Sequence, residues 1–204
     1  MCRCNGATVS VDRMIEMFAR VPVKARVGIR HMFAWPDQPG LAAYTFGPDI
    51  GLTNKLQNGE GKNDMNAILH ETGHALDEGA SSSKEFIAAI EADDCVTSDY
   101  STTSRGECLG ELMVWTYFKK MNPREYEKAF NGTGMSCMKN QLDYMESTFG
   151  ARVTPGGTCP PRVYPDSTPE HIPGGVLKQD INALYEPLSS NWTRHEDFHL
   201  SGGY

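Results

Sequence analysis

The stretch that decides the fold is residues 66–78, which read Asn-Ala-Ile-Leu-His-Glu-Thr-Gly-His-Ala-Leu-Asp-Glu. Apolar residues recur in it at helical spacing, so it predicts one amphipathic helix that packs on a core. His70 and His74 are four residues apart, which places both imidazoles on one face of that helix, one turn apart. Two imidazoles at this spacing can reach one metal ion. Glu71 points to the neighbouring flank, where it can contact a water on the metal more easily than the metal itself.

The same residues spell the His-Glu-x-x-His arrangement of zinc-dependent hydrolases, in which the glutamate is the general base. Gly73 lies inside the motif, although glycine costs about 1 kcal/mol in a helix interior. We therefore expect another part of the chain to approach the helix backbone closely at this point. His195 to His199 repeats the motif near the C-terminus, where the favoured interpretation is a loosely packed segment and a second metal site is the alternative.

Length and composition describe an ordinary globular chain. Its 204 residues fit a single domain, residues 1–204, in which a stretch rich in proline and glycine from about residue 151 wraps irregularly over the surface. Lys and Arg number 19 against 26 Asp and Glu, which gives a net charge of −7. Without a basic stripe, a nucleic-acid partner is not expected. No apolar run is long enough for a transmembrane helix, so we expect no membrane partner, and we expect a monomer.

Cysteines and glycosylation sequons favour a secreted protein. The six cysteines are an even set and lack the Cys-x-x-Cys pairs of a structural zinc site. Sequons begin at Asn131 and Asn191. Together with the acidic balance, these features favour a secreted glycoprotein with disulfide bonds. The pairing cannot be read from the sequence, but we predict a Cys95–Cys108 bridge, because it would clamp the segment that carries the next candidate site residues.

Strands are predicted before the metal-binding helix and helices after it. Short apolar runs predict strands at residues 25–33, 41–46 and 50–53. Helical patterns dominate the rest of the chain and include a helix over residues 105–121. The sequence therefore predicts an α+β fold that is mostly helical, with a small N-terminal β-sheet beside the His-Glu-x-x-His helix.

The strand that immediately precedes the metal-binding helix has a possible functional use. In zinc peptidases such a strand commonly forms the upper edge of the cleft, and an extended substrate can add to it. Residues 42–46 and 50–54 are the two candidates, and a hairpin that only covers the core is the alternative for either. Asn63 or Asp64 is expected to cap the helix, and Gly79 to end it.

A catalytic zinc site needs a third protein ligand, with the fourth position left to water. Asp77 lies too far along the helix to share the metal comfortably, and it is expected either to orient a histidine or to carry charge near the helix end. Glu107 and Glu111 are four residues apart, so they share one face of their predicted helix. One can ligate the metal while the other holds an imidazole N–H. We favour Glu107 as the ligand and Glu111 as its partner, and a solvated acidic face is the alternative for Glu111.

A resemblance bears on this assignment. The segment from His70 to Asp77 is followed by a predicted helix that begins Ser83-Lys-Glu-Phe-Ile, then by Tyr100, and seven residues later by Glu107. With Glu111 one turn further on, this pattern resembles the catalytic domain of anthrax lethal factor and is similar to the bacterial Pro-Pro endopeptidases. Both are zinc metallopeptidases of the gluzincin type, with a zincin-like fold. The resemblance covers about residues 66–120.

The resemblance implies a role for five residues. His70, His74 and Glu107 would bind Zn²⁺, Glu71 would be the general base, and Tyr100 would donate a hydrogen bond to the transition state. The expected activity is that of a secreted zinc-dependent endopeptidase, which hydrolyses peptide bonds in a peptide or protein substrate.

This chain also departs from the family pattern. The family's helix carries aromatic residues and alanine after the ligand glutamate, where this chain has Cys108-Leu109-Gly110. Substrate preference is therefore not carried over. The alternative function is that of a secreted binding protein, an effector or inhibitor that keeps the zinc fold without turnover. The presence of Glu71 argues against it, because a binding module has no need of a general base.

Overall fold

The computed structural model describes residues 1–36, 42–53, 62–132, 135–158 and 193–194. Within them the chain is a mixed α+β fold in which helices predominate over a small sheet, as the sequence predicts. The helices are α1 (Val11–Arg20), α2 (Lys62–Leu76), α3 (Lys84–Glu91), α4 (Arg105–Met121), α5 (Pro123–Gly132) and α6 (Lys139–Val153). The strands are β1 (Cys2–Arg3), β2 (His31–Ala34), β3 (Ala43–Phe46), β4 (Asp49–Leu52), β5 (Cys95–Val96) and β6 (Thr193–Arg194).

The four N-terminal strands form one sheet in the order β1-β2-β4-β3. β1, β2 and β4 are parallel, whereas β3 is antiparallel to β4. Met32 and Ala34 of β2, with Ile50 and Leu52 of β4, are buried in the core. Because β4 pairs on both sides, it cannot accept a further strand. The candidate for the edge of a cleft is therefore β3, and the described part of the segment 50–54, which lies in and just after β4, is excluded from that role.

The helices continue the core from the sheet. α2 packs against β3 and β4 and also against α4, and α4 in turn packs against α6. Ile68 and Leu76 of α2 are buried together with Leu109, Leu112 and Met113 of α4. The helix that carries the two histidines is thus held between the sheet and a second helix.

The prediction of a strand over residues 25–33 is wrong in its first half. Residues Ala25–Gly28 form a 3-10 turn, and β2 begins only at His31. Gly28 lies under the end of α2, where an added Cβ would be 2.5 Å from Leu76 Cδ2 and 3.2 Å from the carbonyl oxygen of Ala75. The Arg26 guanidinium donates to the backbone carbonyls of Ala19 and Val21 at the C-terminal end of α1. These contacts favour a compact turn over an extended strand.

α2 starts earlier and ends earlier than the sequence suggests. It begins at Lys62, so Asn63 and Asp64 lie inside the helix and neither is its cap. It ends at Leu76, and Glu78 and Gly79 then adopt positive φ values of 45° and 90°. The prediction that Gly79 ends the helix is therefore wrong: α2 has already ended at Leu76, and Gly79, in the left-handed conformation, precedes the 3-10 turn Ala80–Ser82.

The predicted Cys95–Cys108 bridge is wrong, because Cys95 is bonded to Cys137. Cys108 lies on the buried side of α4, and its thiol donates to Oε1 of Gln141. Cys137 precedes α6, and its carbonyl accepts from the backbone N–H of Asp94, next to Cys95. The bridge therefore ties β5 to the start of α6 instead of clamping α4.

Several predicted features fall outside the described residues: the second motif at 195–199, the sequon at Asn191, Cys159 and the part of the Pro/Gly-rich stretch beyond 158. Residues 151–153 of that stretch belong to α6, so the irregular region does not begin there. Among the described residues, no helix combines the length and apolar character needed to cross a membrane.

Candidate metal centre

His70, His74 and Glu107 converge on one point between α2 and α4. His70 Nε2 lies 2.7 Å from Glu107 Oε2 and 3.0 Å from His74 Nε2. His74 Nε2 lies 3.4 Å from the same Glu107 oxygen. Among the described residues, these three form the group of side chains that could hold a metal ion. The two helices that the sequence predicts therefore bring together the three residues favoured as ligands.

The donor set fits a divalent transition metal. Two imidazole nitrogens and one carboxylate oxygen are a common ligand combination for catalytic zinc, with bond lengths near 2.1 Å. Ligand atoms of a tetrahedral site with such bonds lie about 3.4 Å apart. The observed separations of 2.7, 3.0 and 3.4 Å are close to that value. Only small side-chain shifts are needed to bind an ion.

Burial and the contacts within this group act in opposite directions on the pKa values of Glu107 and His70. Burial would raise the pKa of the Glu107 carboxyl, but hydrogen bonds from His70 and His74 outweigh it and hold that pKa below its usual range. Burial would lower the pKa of His70, whereas the contact with Glu107 and the charge of Glu71 raise it overall. A carboxylate that stays ionised among two imidazoles is suited to a cation.

Gly110 allows the His70 ring to lie directly on the backbone of α4. A Cβ at position 110 would be 2.7 Å from Cε1 and 2.8 Å from Nε2 of His70. The same two helices meet at Gly73, where an added Cβ would be 3.1 Å from Gly110 Cα and 3.0 Å from Met113 Cβ. The close approach predicted from Gly73 is thus confirmed, and its partner is α4 around Gly110.

Glu71 lies beside the metal-binding group and points to β3. Glu71 is only 7% exposed. The Thr45 hydroxyl lies 2.7 Å from Glu71 Oε2 and 2.9 Å from the backbone carbonyl oxygen of Glu71. Burial raises the pKa of the carboxyl, while the two imidazoles and the Thr45 hydrogen bond lower it, and the net direction is upward. A carboxylate with a raised pKa accepts a proton more readily than one in water.

Tyr100 lies on the open side of the group. Its side chain is 54% exposed, and its ring centroid is 5.9 Å from that of His70. Burial of the hydroxyl and the charge of Glu107 raise the pKa of Tyr100, so the phenol stays protonated and can donate a hydrogen bond. Tyr100 thus lies next to His70, and the role that the resemblance implies for it stays a prediction.

Glu111 contacts the loop before α4 and makes no described hydrogen bond to an imidazole. Both of its carboxylate oxygens accept from Ser98 Oγ at 2.8 Å, and Thr97 Oγ1 donates to Oε2. Ser98 Oγ in turn accepts from the backbone N–H of Tyr100 at 3.1 Å. The predicted role of Glu111 is therefore corrected: it anchors the loop that carries Tyr100.

Asp77 is likewise not placed to orient a histidine. It follows the last residue of α2, and its carboxylate accepts from the backbone N–H of Ser81 at 2.6 Å and from Ser81 Oγ at 2.5 Å. Of the two roles predicted for Asp77, the structure supports the one at the helix end. The helix stops too early for Asp77 to lie on the face of His70 and His74.

The chain matches no protein-family model, no curated protein and no solved structure. Sequence reasoning missed Thr45, Gly110, Thr97 and Ser98. A glycine one turn before Met113 on a helix is a weak signal of close packing, and the other three give no signal, because their partners are distant in sequence.

Proposed function

We propose that this protein is a secreted zinc-dependent endopeptidase of the zincin-like type. The observation that supports the proposal most is the convergence of His70, His74 and Glu107, with the buried carboxylate of Glu71 beside them. A metal site that served only structure would close its coordination with a fourth protein ligand. Three ligands among the described residues, with a general-base candidate at their side, are the pattern of a hydrolase, and the resemblance to gluzincins agrees with it.

The residues divide the reaction between them. A zinc ion held by the three ligands would supply Lewis acidity to a water molecule and to the carbonyl of the substrate. Glu71 accepts the proton of the attacking water and later delivers it to the leaving nitrogen. Tyr100, protonated and on the open side, donates a hydrogen bond to the oxyanion that develops on the carbonyl.

The edge of β3 offers a place for an extended peptide. The backbone N–H of Thr53 donates to the carbonyl of Ala42 at 3.0 Å, so that pair is a hydrogen-bonded one in the antiparallel ladder. Pairs alternate along such a ladder, so Ala43 and Thr45 direct their N–H and C=O groups away from β4. A peptide that adds to this edge runs past Glu71, whose carboxylate contacts the same strand.

Two features support secretion. The Cys95–Cys137 bridge is of a kind that persists in oxidising compartments. Asn131, the acceptor of one sequon, is exposed near the end of α5. Both features fit an enzyme that meets its substrate outside the cell.

The proposal is tested with a peptide library, incubated with the purified full chain with and without a metal chelator. We expect cleavage that the chelator abolishes and that added zinc restores, and about one zinc ion per chain by elemental analysis. Glu71→Gln should keep the zinc and lose at least ~10³-fold in kcat/KM, because the proton acceptor is removed.

Glu91→Gln is the matched control, since Glu91 is an exposed glutamate on α3 and should leave kcat/KM unchanged. Zinc bound without cleavage of any peptide would favour the binding-protein alternative. Cleavage that persists in Glu71→Gln would remove Glu71 from its role as general base.

A further inference from the structure

We propose that Thr45 is a positioning residue that fixes the carboxylate of Glu71 for catalysis and links it to the strand on which the substrate lies. The inference rests on the proposed function. Thr45 lies outside the two helices that carry the metal ligands, in a strand that contains no sequence motif. Its loss is expected to lower kcat.

The first observation is the geometry of the Thr45 hydroxyl. It lies 2.7 Å from Glu71 Oε2 and 2.9 Å from the backbone carbonyl oxygen of Glu71. A threonine hydroxyl has one proton, so it is shared between two acceptors of one residue. The contact therefore ties the Glu71 side chain to its own helix backbone and restricts its rotamers.

The second observation is that the contact leaves one carboxylate oxygen for chemistry. Thr45 occupies Oε2, and the structure gives no hydrogen bond to Oε1 among the described residues. A general base must present one oxygen to the water in a defined direction. Because Glu71 is buried, its orientation is set by such protein contacts and not by bulk water.

The third observation concerns the backbone of the same residue. Thr45 is in β3, the edge strand of the sheet, and the ladder alternation directs its N–H and C=O to the open side. Its side chain and its backbone thus serve two partners. A peptide added to β3 would form hydrogen bonds with the backbone of Thr45, whose hydroxyl also holds Glu71. Thr45 would therefore set the distance between the peptide and the carboxylate of Glu71.

The test compares Thr45→Val, which removes the hydroxyl at nearly constant shape, with Thr45→Ser, which keeps it. The zinc-loaded full chain is assayed on a peptide that the wild type cleaves. We expect kcat to fall at least ~10-fold in Thr45→Val, as for loss of a hydrogen bond to a charged group. KM should change less than about 2-fold, because backbone contacts with the peptide remain, and Thr45→Ser should restore kcat to within about 3-fold.

Thr53→Val is the matched control. Thr53 is also a threonine of this hairpin, with a hydroxyl that donates to the Ala42 carbonyl at 2.9 Å. Its loss should lower stability without lowering kcat. A Thr45→Val protein with wild-type kcat, or a Thr45→Ser protein as slow as Thr45→Val, would overturn the inference.

A readout without zinc or substrate separates this inference from the proposed function. In the metal-free chain, Thr45→Val should raise the equilibrium constant of unfolding, measured in urea. This increase should be at least about 3-fold smaller when Glu71→Ala is already present, since the two side chains then no longer interact. Effects that simply add would overturn the contact. If no variant, wild type included, cleaves any peptide, the proposed function fails, and the unfolding result still decides whether Thr45 holds Glu71.

Discussion

The two flanks of α2 are built differently. Toward α4, backbone lies almost on backbone at Gly73 and Gly110, and the contact brings Glu107 to the two histidines. Toward β3, the described contact with the site is a single hydroxyl, that of Thr45, and among the described residues β3 pairs with a strand on one side only. Under the proposed function, the α4 flank would hold the metal, whereas the β3 flank would hold the base and receive the substrate. Metal binding and turnover should respond separately to changes on the two flanks.

The largest effect is expected from Glu107→Ala on the α4 flank. Removing this carboxylate leaves two imidazoles, so we expect loss of stoichiometric zinc and at least ~10³-fold loss of kcat/KM. Elemental analysis after dialysis and the peptide assay measure the two quantities. Glu111→Ala is the comparison, and it should keep its zinc, because Glu111 contacts Thr97 and Ser98. Zinc retained in Glu107→Ala and lost in Glu111→Ala would exchange the roles of the two glutamates.

The next effect concerns the close approach of the helices. Gly110→Ala places a methyl group where the His70 ring lies, within 2.9 Å of three ring atoms. We expect the ring or α4 to shift, with zinc affinity about 10- to 100-fold weaker, as for loss of a residue that orients a ligand. A chelator competition titration measures the affinity.

Gly150→Ala in α6 is the control for Gly110→Ala. Its added Cβ meets the side chain of Glu146, which belongs to its own helix and can turn away. Zinc affinity should stay at the wild-type value. If Gly110→Ala binds zinc as tightly as Gly150→Ala, the α4 flank does not constrain His70.

The site contacts of the helical flank could be predicted from sequence, whereas on the sheet flank the strand could be predicted but its contact with the site could not. The spacing of His70 and His74 and that of Glu107 and Glu111 are local, so one helical period places each pair. The contact of Thr45 with Glu71 depends on where a strand docks on a helix, and no local pattern encodes that. The end of α2 was also missed: Asp77 fits the helical period, but the chain turns before it.

The bridge from Cys95 was missed for the same reason. Cys108 is the predicted partner because a bridge to it would clamp the segment with the next candidate site residues, yet helix α4 turns Cys108 toward Gln141 in the core. Cys137 is 42 residues from Cys95 and approaches it only because α6 packs on α3 and α4. Long-range packing decides such pairs.

A moderate effect is expected when the loop that carries Tyr100 loses its anchor. Glu111→Gln keeps the shape of the side chain but cannot accept from Ser98 and Thr97 with the strength of a carboxylate. We expect kcat to fall about 10-fold with zinc retained, since Tyr100 is then less well oriented. Combining Glu111→Gln with Tyr100→Phe should add little to the loss caused by Tyr100→Phe alone. Fully multiplicative losses would mean that Glu111 acts elsewhere.

The smallest effect is expected on the open edge of β3. Proline is tolerated on edge strands where the missing N–H faces away from the sheet, and the N–H of Ala43 faces away from β4 by the ladder alternation. Ala43→Pro should therefore fold with zinc bound, and it should raise KM about 5-fold through loss of one backbone hydrogen bond to the peptide, with kcat nearly unchanged.

Tyr44→Pro is the control for Ala43→Pro. Tyr44 pairs with Gly51 of β4, and its N–H faces that strand, so proline there removes a ladder bond and should lower the melting temperature by several degrees. Thermal unfolding and steady-state kinetics on both variants separate a substrate contact from a fold contact. A KM unchanged in Ala43→Pro would mean that the peptide does not lie along β3. The β3 flank would then contribute only the hold on Glu71, and the substrate would have to approach the metal from the side of Tyr100.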